Sequence, residues 1–271
     1  MKRVRKGQEP ASLATYRNAV PAGTWEAMRN DAHWGGQMAY TDCRDRVLTD
    51  QGGLCAYCEI DIGGYDPLKC RIEHFHPKSD VNAAHNWALD WGNMLAVCSG
   101  GSQSALSDPT YFLKPLPENL SCDAYKDRQV QSGALTADCA GWILDPQQIF
   151  AFPCLFKVNA SDGSIEPDDV ACGNAPPAPD NHHASTFDLV KHTIDMLNLN
   201  CNRLMRARLV VVRAIERAKK QQRDKGFNAQ QGLANLAKSY LQRPWPGFFT
   251  TIRLQIGQAA EQYLRQNNFQ G

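Results

Sequence analysis

The sequence has no long apolar run, almost no net charge and no internal repeat. No uninterrupted apolar stretch approaches the roughly 18 residues that a transmembrane helix requires, so we expect no membrane-spanning segment. The basic stretch 1–6 is followed by polar residues rather than an apolar run, so we expect no secretory signal and a cytoplasmic protein. The net charge of +1 gives no global positive field, and any nucleic-acid-binding surface must therefore be local.

Cysteine, by contrast, is abundant. The chain has 10 cysteines among 271 residues, and 43% of its residues are hydrophobic, enough for one large or two small domains with a real core. Disulfides are rare in a reducing compartment, so clustered cysteines there indicate metal before they indicate bridges. Cys55 and Cys58 alone are close enough in sequence to form a motif.

A change of texture divides the chain. Residues 168–181 are rich in Pro, Ala, Gly and Asn and indicate a linker, which places a boundary near residue 175. We expect helices over 12–30, interrupted at Pro21, and over 42–51. Beyond the linker, Ser185 is a helix N-cap candidate, and helices are expected over 229–241 and 250–266. The predicted fold class is α+β, with a domain of residues 1–175 followed by a mainly helical domain of residues 176–271.

The motif Cys55-Ala-Tyr-Cys58 has the spacing at which one tight turn directs two thiolates at a single Zn²⁺. Two further cysteines complete a structural zinc site, and Cys98 and Cys122 are the best candidates because they flank the other motif segments. Cys70 is an alternative ligand. A redox pair is a competing interpretation, although the βαβ context of a thioredoxin-type motif is missing.

Glu73-His74 places a carboxylate beside an imidazole. Hydrolysis of a phosphodiester needs a cation to neutralise developing charge and a base to deprotonate the attacking water. Glu73 suits the metal, and His74, with an ordinary pKa of about 6.5, suits the base. Adjacent residues of an extended strand point to opposite sides, so a turned backbone is needed for both to serve one site. Alone, the dipeptide is a weak signal.

The combination resembles the HNH, or ββα-metal, endonuclease family. The resemblance rests on Cys-x-x-Cys, then Glu73-His74 with Pro77, then Asn93-Met-Leu leading into Cys98, and then Cys122 followed by a polar residue. It implies a ββα core over residues 52–130, wrapped around one catalytic metal and stapled by a four-cysteine zinc. It implies that Asn93 braces the loop carrying His74, and that Asp123 or Asp127, on one helix face, is the last metal ligand.

Two departures from the family pattern affect this prediction. Residues 99–121 must be an insertion between the last two cysteines, and an Asp stands where the family has His or Asn. Carboxylates suit Mg²⁺ or Mn²⁺ as the catalytic ion. His76, Lys78 and Lys126 are candidate nucleic-acid contacts, with exposed loop positions an equal interpretation for the first two. Asn86 competes with Asn93 for the bracing role.

A closer resemblance is to the HNH component (PtuB) of Septu-type and retron-associated anti-phage systems. It rests on the basic start, on Glu-His-Phe-x-Pro-Lys-Ser at 73–79, and on Leu-Asn-Leu-Asn at 197–200 followed by arginines. It implies a nucleic acid substrate, with DNA favoured over RNA. It also implies an ABC-type ATPase partner (PtuA-like), which we expect to bind the helical C-terminal domain. The alternative is a non-catalytic zinc module that binds nucleic acid or protein.

The segment 203–225 carries nine Lys or Arg residues against two acidic ones, on one predicted helix. Such a stripe could lie along a phosphate backbone, where each contact releases counterions. A solvated helix face or a surface for an acidic partner is an equal interpretation.

Overall fold

The computed structural model describes all residues except 65, 67, 83, 106, 107 and 115. Three helices come first in the chain: α1 (Ala11–Ala19), α2 (Trp25–Asn30) and α3 (Gly36–Asp50). The break between the first two was expected at Pro21, and the hydroxyl of Thr24 caps α2 by accepting from the N–H of Ala27. Helix α3 begins six residues before the expected position, after Gly35, which adopts the positive φ of 80° that glycine permits.

One antiparallel strand pair forms the centre of the first half. Strand β1 (Cys70–His74) pairs with β4 (Met94–Cys98), with Cys70 opposite Cys98 and Glu73 opposite Leu95. All five residues of β4 are buried. Between these strands lie the short pair β2 (Val81–Asn82) and β3 (His85–Asn86) and two 3₁₀ turns, Trp87–Leu89 and Trp91–Asn93. Helix α4 (Cys122–Gln131) packs against β4 after the predicted insertion.

The second half is mainly helical. Strands β5 (Phe156–Val158) and β6 (Ile165–Pro167) precede six helices: α5 (Asp169–Asn174), α6 (Thr186–Met196), α7 (Asn202–Asp224), α8 (Ala229–Tyr240), α9 (Phe249–Ile256) and α10 (Gln258–Gln266). The predicted cap at Ser185 is confirmed, since its hydroxyl accepts from the N–H of Asp188.

Two helix predictions for this half are wrong. Residues 169–174, assigned to the linker, form α5, because the Asp168 carboxylate caps the N–H of Ala171. The single helix expected over 250–266 is divided at Gly257, whose φ of 71° interrupts the helical backbone.

Two hydrophobic clusters fill the described part of the molecule. The larger joins α1–α3 and the β1–β4 pair to α6, through residues such as Leu13, Val97 and Leu189. The smaller lies among α7–α10 and includes Leu54 and Trp245. The molecule is therefore of mixed α+β class with a helical C-terminal region, while the division at residue 175 stays a prediction. Among the described residues, no helix has the length and apolar character needed to cross a bilayer.

Candidate active site and cysteine cluster

Four buried cysteines converge from three parts of the chain. Cys55 and Cys58 come from the turn after α3, Cys98 ends β4 and Cys122 begins α4, and their sulfur atoms all lie within 4.8 Å of one another. The Cys58–Cys98 and Cys55–Cys122 sulfur pairs are 3.7 and 3.9 Å apart. Tetrahedral coordination with bonds of about 2.3 Å would place sulfurs about 3.8 Å apart, so the four thiols could hold a structural metal.

The surroundings of this cluster favour thiolate. The backbone N–H of Cys98 donates to the Cys55 sulfur at 3.3 Å, and that of Gly100 donates to the Cys98 sulfur at 3.4 Å. Hydrogen bonds from the other three thiols hold the pKa of Cys98 well below its ordinary value. Cys70, the alternative ligand, lies outside the cluster and directs its thiol at the carbonyl of Arg71.

A residue that the sequence did not single out holds the cysteine turn to the sheet. The fully buried Gln51 donates to the carbonyls of Leu54 and Ala96 and accepts from the N–H of Ala96. Its amide therefore acts as one more strand residue beside β4, just before Cys55. No sequence pattern distinguishes this glutamine from a surface one.

Two acidic side chains meet beside the strand pair. Glu73 on β1 and Asp123 in the first turn of α4 are 6% and 7% exposed, and Asp123 influences the pKa of Glu73 by charge and by hydrogen bonding. Burial raises the pKa of Glu73 well above its ordinary value; Lys126 lowers it and Asp123 adds to the rise. Asp123 Oδ1 is buried with no hydrogen-bond partner in the described part of the chain. A buried, unpartnered carboxylate oxygen beside a second carboxylate fits an oxygen-seeking cation.

His74 lies next to this acidic pair and is 8% exposed. Its Nε2 is 3.1 Å from the carbonyl oxygen of Ala88. A carbonyl only accepts, so Nε2 carries the proton and Nδ1 is the nitrogen able to take up another. Burial lowers the pKa of His74 to about 4, so the imidazole is neutral at physiological pH. The Trp25 ring packs edge-on against the imidazole, with centroids 5.0 Å apart.

Asn93 joins the segment after His74 to the turn before β4. Its Oδ1 accepts from the N–H of His76 at 2.7 Å, and its Nδ2 donates to the carbonyls of His76 and Trp87, both at 2.9 Å. The competing Asn86 instead caps a 3₁₀ turn and donates to the carbonyls of Pro21 and Gly23. The bracing geometry expected of Asn93 is thus the geometry that the structure has.

The predicted nucleic-acid contacts are occupied by acidic neighbours. His76 is hydrogen-bonded to Asp80 and stacks on Trp87, with centroids 4.0 Å apart. Lys78 is paired with Glu26. Lys126 is only 5% exposed and its ammonium is paired with Glu73, so in this conformation it is directed into the site and not toward solvent. The nucleic-acid roles of the three stay predictions.

Asp127, the other candidate for the last metal ligand, is exposed one helical turn after Asp123. Arg71 approaches Asp123 from the opposite side, with Nη1 4.0 Å from Oδ2. Asp123 is therefore the acidic residue of α4 that lies with Glu73 in the interior, although which carboxylate binds metal is not decided by this placement.

The basic segment is less uniform than the sequence indicated. Arg203 is buried and donates to the carbonyls of Thr110 and Asn119 and to the Ser121 hydroxyl. Arg208 is also buried and donates to the carbonyl of Gly163 at 2.7 Å. The stripe therefore contains seven surface or partly exposed cations, not nine. Helical spacing could have revealed Arg208, which lies four residues from each of the buried Leu204 and Val212.

Comparison with known proteins agrees with this site. A protein of Escherichia coli named "Retron Ec83 putative HNH endonuclease" is 35% identical over 210 residues, covering 77% of this chain and 78% of that protein. The chain belongs to the retron HNH endonuclease family. This family member is also 40% identical over 55 residues to the Vibrio cholerae serotype O1 biovar El Tor protein named "Retron Vc95 putative HNH endonuclease", covering 20% of the chain and 25% of that protein. No family model matches the chain. The protein is accordingly an HNH endonuclease, an enzyme acting on nucleic acid.

Proposed function

We propose that this endonuclease hydrolyses phosphodiesters, of DNA in preference to RNA, with a divalent ion held by Glu73 and Asp123 and with His74 as the base. The observation that carries the proposal is the buried, unpartnered Oδ1 of Asp123 beside Glu73, on the strand that also positions the neutral His74. In this proposal β1, β4 and α4 form the ββα-metal core within residues 52–130 of a 1–175 nuclease domain. Asp127 is the alternative last ligand.

The residues of the chain divide the chemistry among them. Bound at the carboxylates, Mg²⁺ or Mn²⁺ would neutralise the charge that develops on the scissile phosphate. His74 accepts a proton from the attacking water at Nδ1, while the Ala88 carbonyl keeps Nε2 protonated and the ring oriented. Asn93 keeps the backbone that follows His74 in place through its three hydrogen bonds.

The cysteine cluster has a separate role in this proposal. Cys55, Cys58, Cys98 and Cys122 hold structural Zn²⁺, since four thiols without an open position suit a closed tetrahedral site. The ion would link the turn after α3, the end of β4 and the start of α4. These three places also position Glu73's partner strand and Asp123, so the zinc site supports the catalytic site without taking part in hydrolysis.

The wider role that we propose is that of a nuclease effector in anti-phage defence, working with an ABC-type ATPase. The retron names of both relatives and the closer resemblance of the sequence to Septu-type and retron-associated nucleases support this role. The helical region of residues 176–271 is the proposed ATPase-binding domain. Co-expression with the ATPase, followed by affinity purification of a chain lacking residues 176–271, tests this partnership: loss of ATPase recovery is expected.

A stripe on α7 is the proposed contact for the nucleic acid backbone. Arg206, Arg213, Arg217 and Lys220 are all exposed, and at 100° per residue they lie within about 60° of one another around the helix. Between the first and last the helix rises about 21 Å, long enough to follow several phosphates of one strand. The proposal favours this surface for nucleic acid over an acidic protein partner.

The experiment that tests the catalytic proposal compares wild type with Glu73→Gln on plasmid, single-stranded DNA and total RNA. Reactions contain Mg²⁺, Mn²⁺ or EDTA. Cleavage that requires metal and is lost in the variant is expected, because an amide is a poor substitute for a carboxylate ligand. Cleavage by Glu73→Gln at the wild-type rate would remove Glu73 from the site.

A further inference from the structure

A lysine lies between the two buried acidic groups of the candidate site. Glu73, Asp123 and Lys126 are 6%, 7% and 5% exposed, and the Lys126 ammonium is ion-paired with Glu73 Oε1. Lys126 follows Asp123 by three residues on α4, so both side chains share one helix face. The pKa of Lys126 is raised, because its attraction to Glu73 and the neighbouring acids outweighs the effect of burial, and the side chain is a cation.

The charge balance of this group limits which cations it can hold together. Two ionised carboxylates with one ammonium leave a net charge of −1, whereas two carboxylates with one divalent ion are neutral. Lysine and a divalent ion together would give +1 in an interior where unbalanced charge is costly. Arg71, whose side chain is 38% exposed and whose Nη1 is 4.0 Å from Asp123, already adds positive charge at the edge.

We propose that the Lys126 ammonium takes the place of the divalent ion between Glu73 and Asp123 in the metal-free protein, so that metal loading must displace it. This inference rests on the proposed function, because it concerns the same two carboxylates. The lysine keeps them apart and paired when no metal is bound, and it lowers the affinity of the site for metal. Its four-carbon stem allows the displaced ammonium to turn toward solvent, where a substrate phosphate could meet it.

The first test measures Mn²⁺ affinity by electron paramagnetic resonance on the full chain. Lys126→Met, which keeps the length of the stem but removes the charge, is compared with wild type and with Lys157→Met. Lys157 is an exposed lysine paired with Glu166 and Asp169 and is the matched control. Because competing ligands are coupled by 5- to 150-fold in typical cases, we expect Lys126→Met to bind Mn²⁺ at least about fivefold more tightly. Equal or weaker affinity in Lys126→Met would overturn the proposal.

A second test uses wild type and does not depend on the folding of a variant. Reductive methylation followed by mass spectrometry measures the modification rate of each lysine with and without Mn²⁺. Displacement predicts that Mn²⁺ accelerates the modification of Lys126 several-fold and leaves Lys157 unchanged. A Lys126 rate that Mn²⁺ does not raise would contradict displacement.

Glu73→Gln separates this inference from the proposed function. If Glu73→Gln retains wild-type Mn²⁺ affinity, the proposed metal site itself is wrong. If Glu73→Gln abolishes Mn²⁺ binding while Lys126→Met binds with wild-type affinity, the metal site stands and the competition by Lys126 is rejected.

Discussion

Asn93→Ala removes three hydrogen bonds from the segment that follows His74. The amide accepts from the N–H of His76 and donates to the carbonyls of His76 and Trp87, at 2.7 to 2.9 Å. Asn93 is 4% exposed, so water cannot readily replace the amide. At about 1 kcal/mol net for each bond, the free energy of unfolding should fall by about 3 kcal/mol.

The same variant should slow cleavage by more than its effect on stability explains. Without the brace, the backbone carrying His74 is free to shift, and a misplacement of about 1 Å can cost roughly 100-fold in rate. We therefore expect kcat to fall about 100-fold at a temperature at which the variant is fully folded. Urea unfolding and single-turnover cleavage measure the two effects.

Asn86→Ala is a matched control because Asn86 also makes three hydrogen bonds, through the same kind of side chain. Its bond to the Pro21 carbonyl is exposed, so solvent can replace part of what is lost. We expect a loss of about 1 kcal/mol and a smaller effect on kcat. A larger effect of Asn86→Ala than of Asn93→Ala, on either quantity, would refute the bracing role assigned to Asn93.

Three further predictions concern the base, the cysteine cluster and α7. Unfolded histidine takes up a proton near pH 6.5 and folded His74 only near pH 4, so the free energy of unfolding should fall between these values on acidification; urea titrations should show a shallower fall in His74→Ala. Cys58→Ser should lose bound zinc and unfold at lower urea, whereas Cys154→Ser, outside the cluster, should retain the zinc measured by plasma mass spectrometry. Charge reversal at Arg213 and Arg217 should weaken DNA binding and lower the salt dependence measured by fluorescence anisotropy by about one per contact; an unchanged dependence would reject the α7 surface.

Much of the candidate site could be predicted because its residues occur in recognisable local patterns. Cys55 and Cys58 share one turn, and the order of Glu73-His74, Asn93 and the later cysteines matches a known family. The resemblance supplied Cys98 and Cys122, which spacing alone could not pair with the first two. The structure brings all four together.

The remaining features depend on three-dimensional packing that no local pattern encodes. Lys126 looks like a surface residue in sequence, and only the packing of α4 against β4 places it beside Glu73. Arg203 looks like one cation of a stripe, yet it is buried among carbonyls of the insertion. The division at Gly257 was missed because a single glycine is tolerated in many helices and only its positive φ breaks this one.

The central claim is that His74 activates water in a metal-dependent cleavage of nucleic acid. It is tested most directly by wild type and His74→Ala on the same DNA and RNA substrates with Mg²⁺, Mn²⁺ or EDTA, each with and without the ABC-type ATPase. The account predicts cleavage by wild type with metal, no cleavage with EDTA, and a folded but inactive variant. Cleavage by His74→Ala at the wild-type rate, or undiminished cleavage in EDTA, would contradict it.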